Sequence, residues 1–180
     1  GFDAAGWQWP LHEPLFASLA KARIDVVGAN ISRDLARRIV REGNPALPPG
    51  LAATLTANPL SPSAEAALDA DLLDNHCGQL PATRLPGMRL AQRARDAAMA
   101  LGLVALPERP AILVAGNGHV RGDYGVPALL ARLRPGARII NIAFEEEGKA
   151  TDAGTTYTHI WTTPAVHRDD PCKGFGKPRP

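Results

Sequence analysis

The sequence predicts an α/β fold with a mostly parallel sheet and helices on both of its faces. Short apolar runs rich in branched residues alternate with longer segments whose apolar residues recur at helical spacing. Such runs are typical of strands buried on both faces of a parallel sheet, and their alternation with helices is typical of α/β proteins. We therefore expect one α/β domain over residues 1–170 and a flexible tail over residues 171–180.

Length and composition restrict the class of protein. A chain of 180 residues has the size of one domain and can bury a substantial core. Its 45% hydrophobic and 21% charged residues are typical of a globular protein, and no apolar run is long enough to span a bilayer. A net charge of +2 argues against a dedicated nucleic-acid-binding protein. Cys77 and Cys172 fit either one disulfide in an oxidising compartment or two buried thiols.

The first part of the chain predicts a short helix, a strand and a second helix. Pro14 begins the first helix, and residues 24–29 form the first apolar run of strand length. Ser32 is expected to cap the next helix, which ends at Gly43. Residues 44–62 contain five prolines among small residues, so we predict a long surface loop there.

The middle of the chain predicts two further helices. Ser61 begins one that runs to Asn75, and His76 lies at its C-terminus, where a histidine complements the helix dipole. The next helix covers residues 86–101 and has one apolar face. A second stripe on this helix consists of Met88, Gln92, Arg95 and Met99. Such a stripe either lines a pocket or fills the edge of the core.

Residues 111–130 predict a strand, a polar turn and the start of a helix. The strand is expected at residues 111–115, and Asp123 is expected to cap the helix. The turn carries four polar residues, Asn117, His119, Arg121 and Asp123. Since ligands of open α/β sheets bind outside the carboxyl ends of the strands, this turn is a candidate site. The alternative is a tight turn that holds a structural histidine.

The last part of the chain predicts two more strands, at residues 138–144 and 157–162. Both are apolar runs too short for buried helices. Together with the runs at 24–29 and 111–115, they are expected to form parts of one sheet.

Several segments carry recognisable motifs. Residues 116–127 read Gly-Asn-Gly-His-Val-Arg-Gly-Asp-Tyr-Gly-Val-Pro, and residues 91–100 read Ala-Gln-Arg-Ala-Arg-Asp-Ala-Ala-Met-Ala. Four shorter segments accompany them: Gly-Trp-Gln-Trp-Pro at 6–10, His-Cys-Gly-Gln-Leu-Pro at 76–81, Trp-Thr-Thr-Pro at 161–164 and Arg-Asp-Asp-Pro-Cys at 168–172. In combination, these segments resemble the ChaN-like haem-binding uptake proteins of the Tiki superfamily, some of which are iron-regulated lipoproteins. The likeness extends over most of the chain.

The resemblance implies a periplasmic or outer-membrane-anchored protein of a bacterial haem and iron uptake system. Proteins of this family usually begin with a strand that ends in a Gly-Glu-x-His type motif, which is absent here. The sequence starts at Gly1 without a Met, and we therefore expect a longer native N-terminus that adds a strand to the sheet and carries any signal or lipid-anchor segment.

The resemblance also implies non-covalent haem binding, since the Cys-x-x-Cys-His attachment motif is absent. Haem needs an apolar slot, an axial donor and cations for its propionates. The candidate donors are His119, Tyr124, His76 and Tyr157. Of these we favour Tyr124 for ferric iron, with His119 in a positioning or propionate-contacting role. The other candidate contacts are Asn117, Asp123, Arg121, Arg33 and Arg95. A second subunit around the haem and an outer-membrane haem-uptake machinery are the expected partners.

Two other hypotheses stand beside haem binding. Wider relatives of the superfamily include metal-dependent hydrolases, and in such an enzyme His119 would be a metal ligand with Asp123 beside it. The sequence contains neither a Gly-x-Ser-x-Gly nucleophile elbow nor a His-Glu-x-x-His helix. The third hypothesis makes the glycine-rich turn a purely structural device. We rank haem binding first, the hydrolase second and the structural module third.

Overall fold

The computed structural model describes residue 4 and residues 9–107, 110–148 and 156–174. The chain divides into two compact units, Gly1–Asn30 and Ile31–Pro180. The first unit contains helix α1 (Glu13–Lys21), which has Pro14 in its first turn as the sequence predicted. The prediction of a single domain over residues 1–170 stays a prediction.

The described part of the second unit contains helices α2 (Arg33–Glu42), α3 (Pro49–Ala57), α4 (Pro62–Asn75), α5 (Leu85–Ala105) and α6 (Val126–Leu133). The predicted caps of α2 and α4 are confirmed, because the hydroxyls of Ser32 and Ser61 accept hydrogen bonds from backbone N–H groups in the first turns of these helices. Gly43 ends α2 with φ of 70°, a conformation that favours glycine.

Helix α3 corrects the prediction of a long loop over residues 44–62. Pro49 lies in the first turn of α3, where a helix does not need the missing N–H. Pro49 therefore begins a helix, although prolines in this region were predicted to lie in a loop. Leu51 and Leu55 are buried, so the helix owes its stability to packing that a count of prolines does not show.

The described sheet consists of two parallel strands, β1 (Ile142–Glu146) and β2 (His159–Thr163). The predicted α/β class is confirmed, and the sheet is smaller than predicted. Ala143 is fully buried on one face, whereas Ile142 and Phe144 on the other face are exposed. Both strands begin and end later in the sequence than the runs predicted at 138–144 and 157–162.

The strands predicted at residues 24–29 and 111–115 have no regular secondary structure, so this part of the prediction is wrong. Branched apolar residues favour an extended backbone, but a strand also needs a hydrogen-bonded neighbour that local sequence does not specify. Ile112 in the second segment is exposed. In the predicted tail, Pro171–Gly174 form a 3₁₀ turn, and residues 175–180 lie outside the described residues.

Helix α5 is the element against which α2, α3, α4 and α6 pack. Its crossing with α2 is close, because a Cβ atom on Gly87 would lie 2.3 Å from the carbonyl oxygen of Val40. Among the described helices, none combines the length and the apolar character needed to cross a membrane. Because four helices pack against α5 and His119 of the polar turn contacts Asp96 on it, this long helix is the scaffold on which the turn is placed.

Candidate functional site

The polar turn that precedes α6 is bound to the edge of β1. Asn117–Val120 form a 3₁₀ turn. The side chain of Asn117 donates to the carbonyl oxygen of Phe144 at 2.7 Å and accepts from its N–H at 3.3 Å. Nδ2 of Asn141 donates to the carbonyl oxygen of Val120 at 2.8 Å. These bonds fix the position of the turn, so Asn117 has a structural role at the candidate site.

The turn folds tightly over Gly125. A Cβ atom there would lie 2.4 Å from the carbonyl oxygen of His119 and 2.8 Å from that of Arg121. Since φ of Gly125 is −81°, the lack of space, and not the backbone conformation, requires glycine at this position. Gly125 is also the N-cap of α6, which corrects the prediction that Asp123 caps this helix.

A buried carboxylate lies against the histidine of the turn. Nδ1 of His119 is 2.6 Å from Oδ1 of Asp96 in α5 and 3.1 Å from Nε2 of Gln92, one helical turn earlier. The Asp96 residue is 0% exposed and the His119 side chain is 18% exposed. An ionised carboxylate only accepts hydrogen bonds, so this contact places a ring proton on Nδ1, and in the neutral ring Nε2 then carries the lone pair. In the described part of the chain, Nε2 has no hydrogen-bond partner.

The electrostatics of Asp96 are dominated by its burial. Burial raises the pKa of Asp96 to about 6, while the hydrogen bond and charge of His119 and the charges of Arg93 and Arg95 oppose this rise. Oδ2 of Asp96 is buried without a hydrogen-bond partner among the described residues. Among the described residues, the hydrogen bonding of the Asp96 carboxylate is therefore directed to His119 alone.

Arg121 belongs to a network of carboxylates beside the turn. It donates to Asp123 through Nε at 3.1 Å and Nη2 at 2.7 Å, and its Nη1 lies 3.3 Å from Oδ2 of Asp71. Its guanidinium stacks 4.8 Å from the ring centroid of Tyr124. The hydrogen bonds to Asp123 are the main cause that raises the pKa of Arg121. Arg121 and Asp123 thus bind each other, and a propionate would have to compete with these internal pairs.

Tyr124 is 2% exposed and packs with Ala64, Leu68 and Leu72 of α4. Its hydroxyl donates to Oδ2 of Asp71. Burial, followed by this hydrogen bond, raises the pKa of Tyr124 far above its ordinary value. An iron-bound phenolate requires loss of the proton that Tyr124 donates to Asp71; the role of iron ligand for Tyr124 stays a prediction.

The other two candidate donors lie in different surroundings. The hydroxyl of Tyr157 donates to the carbonyl oxygen of Asn117 at 3.3 Å, and burial raises the pKa of Tyr157. His76 is the C-cap of α4, as predicted, and its Nδ1 donates to the carbonyl oxygen of Leu72 at 2.7 Å. Tyr157 therefore lies beside the turn, whereas His76 lies at the end of α4.

Arg95 precedes Asp96 in α5 and is half-buried. Burial is the main cause that lowers the pKa of Arg95, and the positive charge of Arg33 at the start of α2 lowers it further. Arg33 and Arg95 thus carry like charges on the packed helices α2 and α5.

Cys77 and Cys172 form a disulfide across 95 positions of sequence. This decides between the two alternatives that the sequence left open. The bond ties the end of α4 to the segment that follows β2, which Arg168 also holds through an ion pair with Glu146.

Sequence reasoning missed the role of Asp96 and placed Gln92 only on a stripe at the margin of α5. A signal was present, because the two residues are four positions apart and therefore share a helix face. Asp96 also stands among small apolar residues, Ala94, Ala97 and Ala98, where an acidic side chain needs a partner. Among the described residues, no group of three or more His, Cys, Asp or Glu side chains is arranged to hold a metal ion.

Comparison with known proteins places these residues in a family. The model of the family described as "Haem-binding uptake, Tiki superfamily, ChaN" matches residues 2–130, which includes α5 and the turn with His119. No curated protein and no solved structure matches the sequence. Because the matched range covers most of the 180 residues, the chain belongs to the ChaN family of haem-binding uptake proteins in the Tiki superfamily.

Proposed function

We propose that this protein binds haem non-covalently in a bacterial haem and iron uptake system, with Nε2 of His119 as the axial ligand of the iron. The contact between Asp96 and Nδ1 of His119 carries the proposal. Histidines that ligate metals commonly donate their other ring N–H to a carboxylate or carbonyl, which fixes the tautomer and the ring orientation. Here Asp96 supplies that acceptor, and Nε2 keeps the lone pair that an iron atom needs.

The surroundings of the four candidate donors favour His119. The pKa of Tyr124 and that of Tyr157 are both raised by burial, which opposes formation of the phenolate. His76 donates Nδ1–H to the carbonyl of its own helix, a neutral acceptor. Only His119 among these donors has a buried carboxylate hydrogen-bonded to its ring in the described part of the chain. A bound haem would thus have a neutral imidazole ligand backed by a negative charge.

Apolar surface for a porphyrin lies near the turn. Phe144 and Trp161 are 61% and 63% exposed, and their ring centroids are 6.2 Å apart. Asn117 is hydrogen-bonded to the backbone of Phe144, so the strand that carries Phe144 borders the turn with His119. Haem sites combine such apolar walls with a few polar groups, which supports the exposed face of the sheet as part of the site.

The propionates of haem need cationic partners. Arg33 and Arg95 repel each other, so a carboxylate placed near both groups would be attracted by two positive charges. We assign supporting roles to the other predicted site residues: Asn117 holds the turn to β1, and Arg121 with Asp123 stabilises the turn through their ion pair.

The test is a hemin titration followed by absorbance. Wild-type protein should bind hemin saturably with a shifted Soret band. His119→Gln keeps an N–H donor for Asp96 but lacks an imidazole, so it should weaken binding on the order of tenfold or more. The matched control, His76→Gln, should bind like the wild type, and Tyr124→Phe should leave the spectrum unchanged.

Two outcomes of the titration would contradict the proposal. If the wild-type protein binds no hemin, the haem function is wrong. If His119→Gln binds hemin with unchanged affinity and spectrum, His119 is not the ligand. Circular dichroism shows whether each variant is folded, and restoration of the spectrum of His119→Ala by free imidazole provides a second check on the ligand.

We also propose that the protein resides in the periplasm or is anchored to the outer membrane, where outer-membrane haem-uptake machinery delivers its haem. The Cys77–Cys172 disulfide supports this, because disulfides persist in oxidising compartments and are rare in the cytosol. Cell fractionation combined with thiol alkylation should find the oxidised protein outside the cytoplasm. A reduced, cytoplasmic protein would refute the proposed location.

A homodimer around haem is a further part of the proposal. Its support is the exposed apolar surface of the second unit, which includes Ile112, Val114, Ile142, Phe144 and Trp161. Large exposed apolar patches commonly mark interaction sites. Analytical ultracentrifugation should detect a dimer when hemin is added, and Trp161→Lys should weaken it. A protein that stays monomeric with bound hemin would refute the dimer and leave the haem site intact.

A further inference from the structure

A cavity in the second unit borders the connection between α3 and α4. This connection runs from Asn58, the C-cap of α3, to Ser61, the N-cap of α4. Helices α5 and α6 contribute Arg93 and Arg132 to the lining of the cavity, whose volume is about 50 Å³. Because a single water needs about 10–15 Å³, the cavity holds a few waters or one small ion, and it is too small for a porphyrin.

Both arginines donate to the backbone of this connection. Nη2 of Arg93 donates to the carbonyl oxygen of Asn58 at 2.6 Å, and Nη1 of Arg132 donates to that of Pro59 at 3.2 Å. A guanidinium carries five N–H donors, so each group has four others. In the part of the chain that the structure describes, neither guanidinium forms an ion pair with a carboxylate. Two positive charges therefore meet at one cavity with most of their donors available.

The charge of Arg93 lies in partly buried surroundings. Burial is the main cause that lowers the pKa of Arg93, and the positive charges of Arg132 and Arg89 lower it further. The carboxylates of Asp96 and Glu65 oppose this change. Each of them has another partner, since Asp96 binds the histidine of the polar turn and Glu65 binds Arg89. An anion in the cavity would thus meet a half-buried guanidinium that no described carboxylate contacts directly.

Two residues of the polar turn, Asp123 and Tyr124, also line the cavity. The carboxylate of Asp123 accepts two hydrogen bonds from Arg121, and the hydroxyl of Tyr124 donates to Asp71. The charge of Asp123 is therefore balanced by a cation of its own. The two arginines from α5 and α6 leave the lining of the cavity positively charged.

We propose that this cavity binds a phosphate group between Arg93 and Arg132. Guanidinium groups bind phosphate through charge-assisted hydrogen bonds, and a phosphate with nearly two negative charges matches two cations better than one carboxylate does. The volume of the cavity restricts the ligand to free phosphate or to the terminal phosphate group of a larger molecule. Since neither arginine takes part in the proposed haem site and the test needs no hemin, the outcome is independent of the haem function.

A phosphate titration followed by ¹H–¹⁵N NMR locates the site. Sodium phosphate, exchanged for sodium chloride at constant ionic strength and neutral pH, should shift the amide signals of Leu60 and Ser61 saturably. Signals of Ile39 and Leu51, which are buried and do not line the cavity, should stay in place. Sulfate has the same shape and charge and should cause similar shifts, whereas acetate should bind more weakly. Phosphate that causes no saturable shift at Leu60 and Ser61 would overturn the proposal.

Three variants test the two arginines. Arg93→Gln and Arg132→Gln keep an N–H donor for the backbone carbonyls but lose the positive charge. Each should raise the Kd for phosphate on the order of 10- to 100-fold, because charge-assisted hydrogen bonds are lost. The matched control is Arg134→Gln, because Arg134 donates to the carbonyl oxygen of Val104 at 3.4 Å and does not line the cavity. This control should keep the wild-type Kd.

Thermal denaturation separates phosphate binding from a purely structural role of the arginines. Phosphate should raise the Tm of the wild type and of Arg134→Gln, but not that of Arg93→Gln or Arg132→Gln. If the arginines only hold the connection between α3 and α4, the Tm of the wild type should not depend on phosphate. Because Arg132 is exposed, Arg132→Gln should fold even if Arg93→Gln does not. A folded Arg132→Gln that keeps the wild-type Kd would refute the assignment.

A titration with glycerol 3-phosphate distinguishes the two sources of the phosphate group. Tighter binding of this ester than of inorganic phosphate would assign the site to a terminal phosphate group of a larger molecule. Tighter binding of inorganic phosphate would assign it to the free ion. If the wild-type protein binds neither, the cavity is not a phosphate site.

Discussion

Replacement of Gly125 by Ala should disturb the candidate site through a single atom. The new Cβ would lie 2.4 Å from the carbonyl oxygen of His119, so that oxygen must retreat by about 1 Å to reach ordinary contact at 3.4 Å. A ring that moved equally far from Asp96 would be about 3.6 Å from Oδ1 in place of 2.6 Å, which is no longer a hydrogen bond.

The cost of this clash follows from comparable overpacking in protein cores, which destabilises by about 1–3 kcal/mol. For a chain of this size, 2 kcal/mol corresponds to a decrease in Tm of about 4–8 °C. Because an atom misplaced by 1 Å can reduce activity or binding about 100-fold, the affinity for hemin should fall 10- to 100-fold. Thermal denaturation followed by circular dichroism and the hemin titration measure the two effects.

The matched control is Gly116→Ala, because a Cβ atom at Gly116 would meet no atom within 4 Å. This variant should keep the wild-type Tm and hemin affinity. If Gly125→Ala behaves like Gly116→Ala in both measurements, the turn has room that the structure does not show. Close packing on Gly125 would then not be what positions His119.

Two further predictions concern stability. The pKa of Asp96 is raised from 3.8 to about 6 in the folded protein, so the native state binds this proton more tightly than the unfolded state. The free energy of unfolding should therefore rise as pH falls through 6 toward 4, by on the order of 3 kcal/mol relative to Asp96→Asn. Urea denaturation of both proteins at several pH values measures this difference. Parallel pH profiles of the two proteins would contradict the prediction. Removal of the Cys77–Cys172 disulfide releases a loop of 95 positions and should lower the free energy of unfolding by about 4 kcal/mol. Urea denaturation of Cys77→Ser/Cys172→Ser measures this loss. A variant as stable as the oxidised wild type would refute the prediction.

Local sequence patterns predicted most of the helices because their determinants lie within a few residues. Ser32, Ser61 and Gly43 define helix ends through hydrogen bonds and backbone conformation that involve only the adjacent turn. The apolar spacing of α5 is likewise a local property. Helix α3 was missed because its prolines resemble those of a loop until the burial of Leu51 and Leu55 is known.

The extent of the sheet was not predictable in the same way. Residues 111–115 have the composition of a strand, but pairing depends on which backbone lies beside them, and that is not a property of the segment itself. The strands β1 and β2 were found with shifted ends. Their parallel register joins residues that are 17 positions apart in the chain.

The sequence predicted which turn carries the candidate residues, but not which side chains those residues contact. The turn around His119 was identified from its glycines and from its place after an apolar run. Asp96 was missed, because the contact that pairs it with His119 joins two elements separated by 23 positions. Tyr124 was the favoured ligand from the sequence and stays so as a prediction; its burial and its hydrogen bond to Asp71 depend on α4, which local sequence does not reveal.

Resonance Raman spectroscopy of the reduced hemin complex tests whether His119 binds the iron, because the iron–histidine stretching vibration reports the ligand itself. We predict a stretching band that shifts when ⁵⁷Fe hemin is used, that is lost in His119→Gln and that is retained in His76→Gln. A complex without an iron–histidine band, or a band that persists in His119→Gln, would show that His119 does not bind the iron.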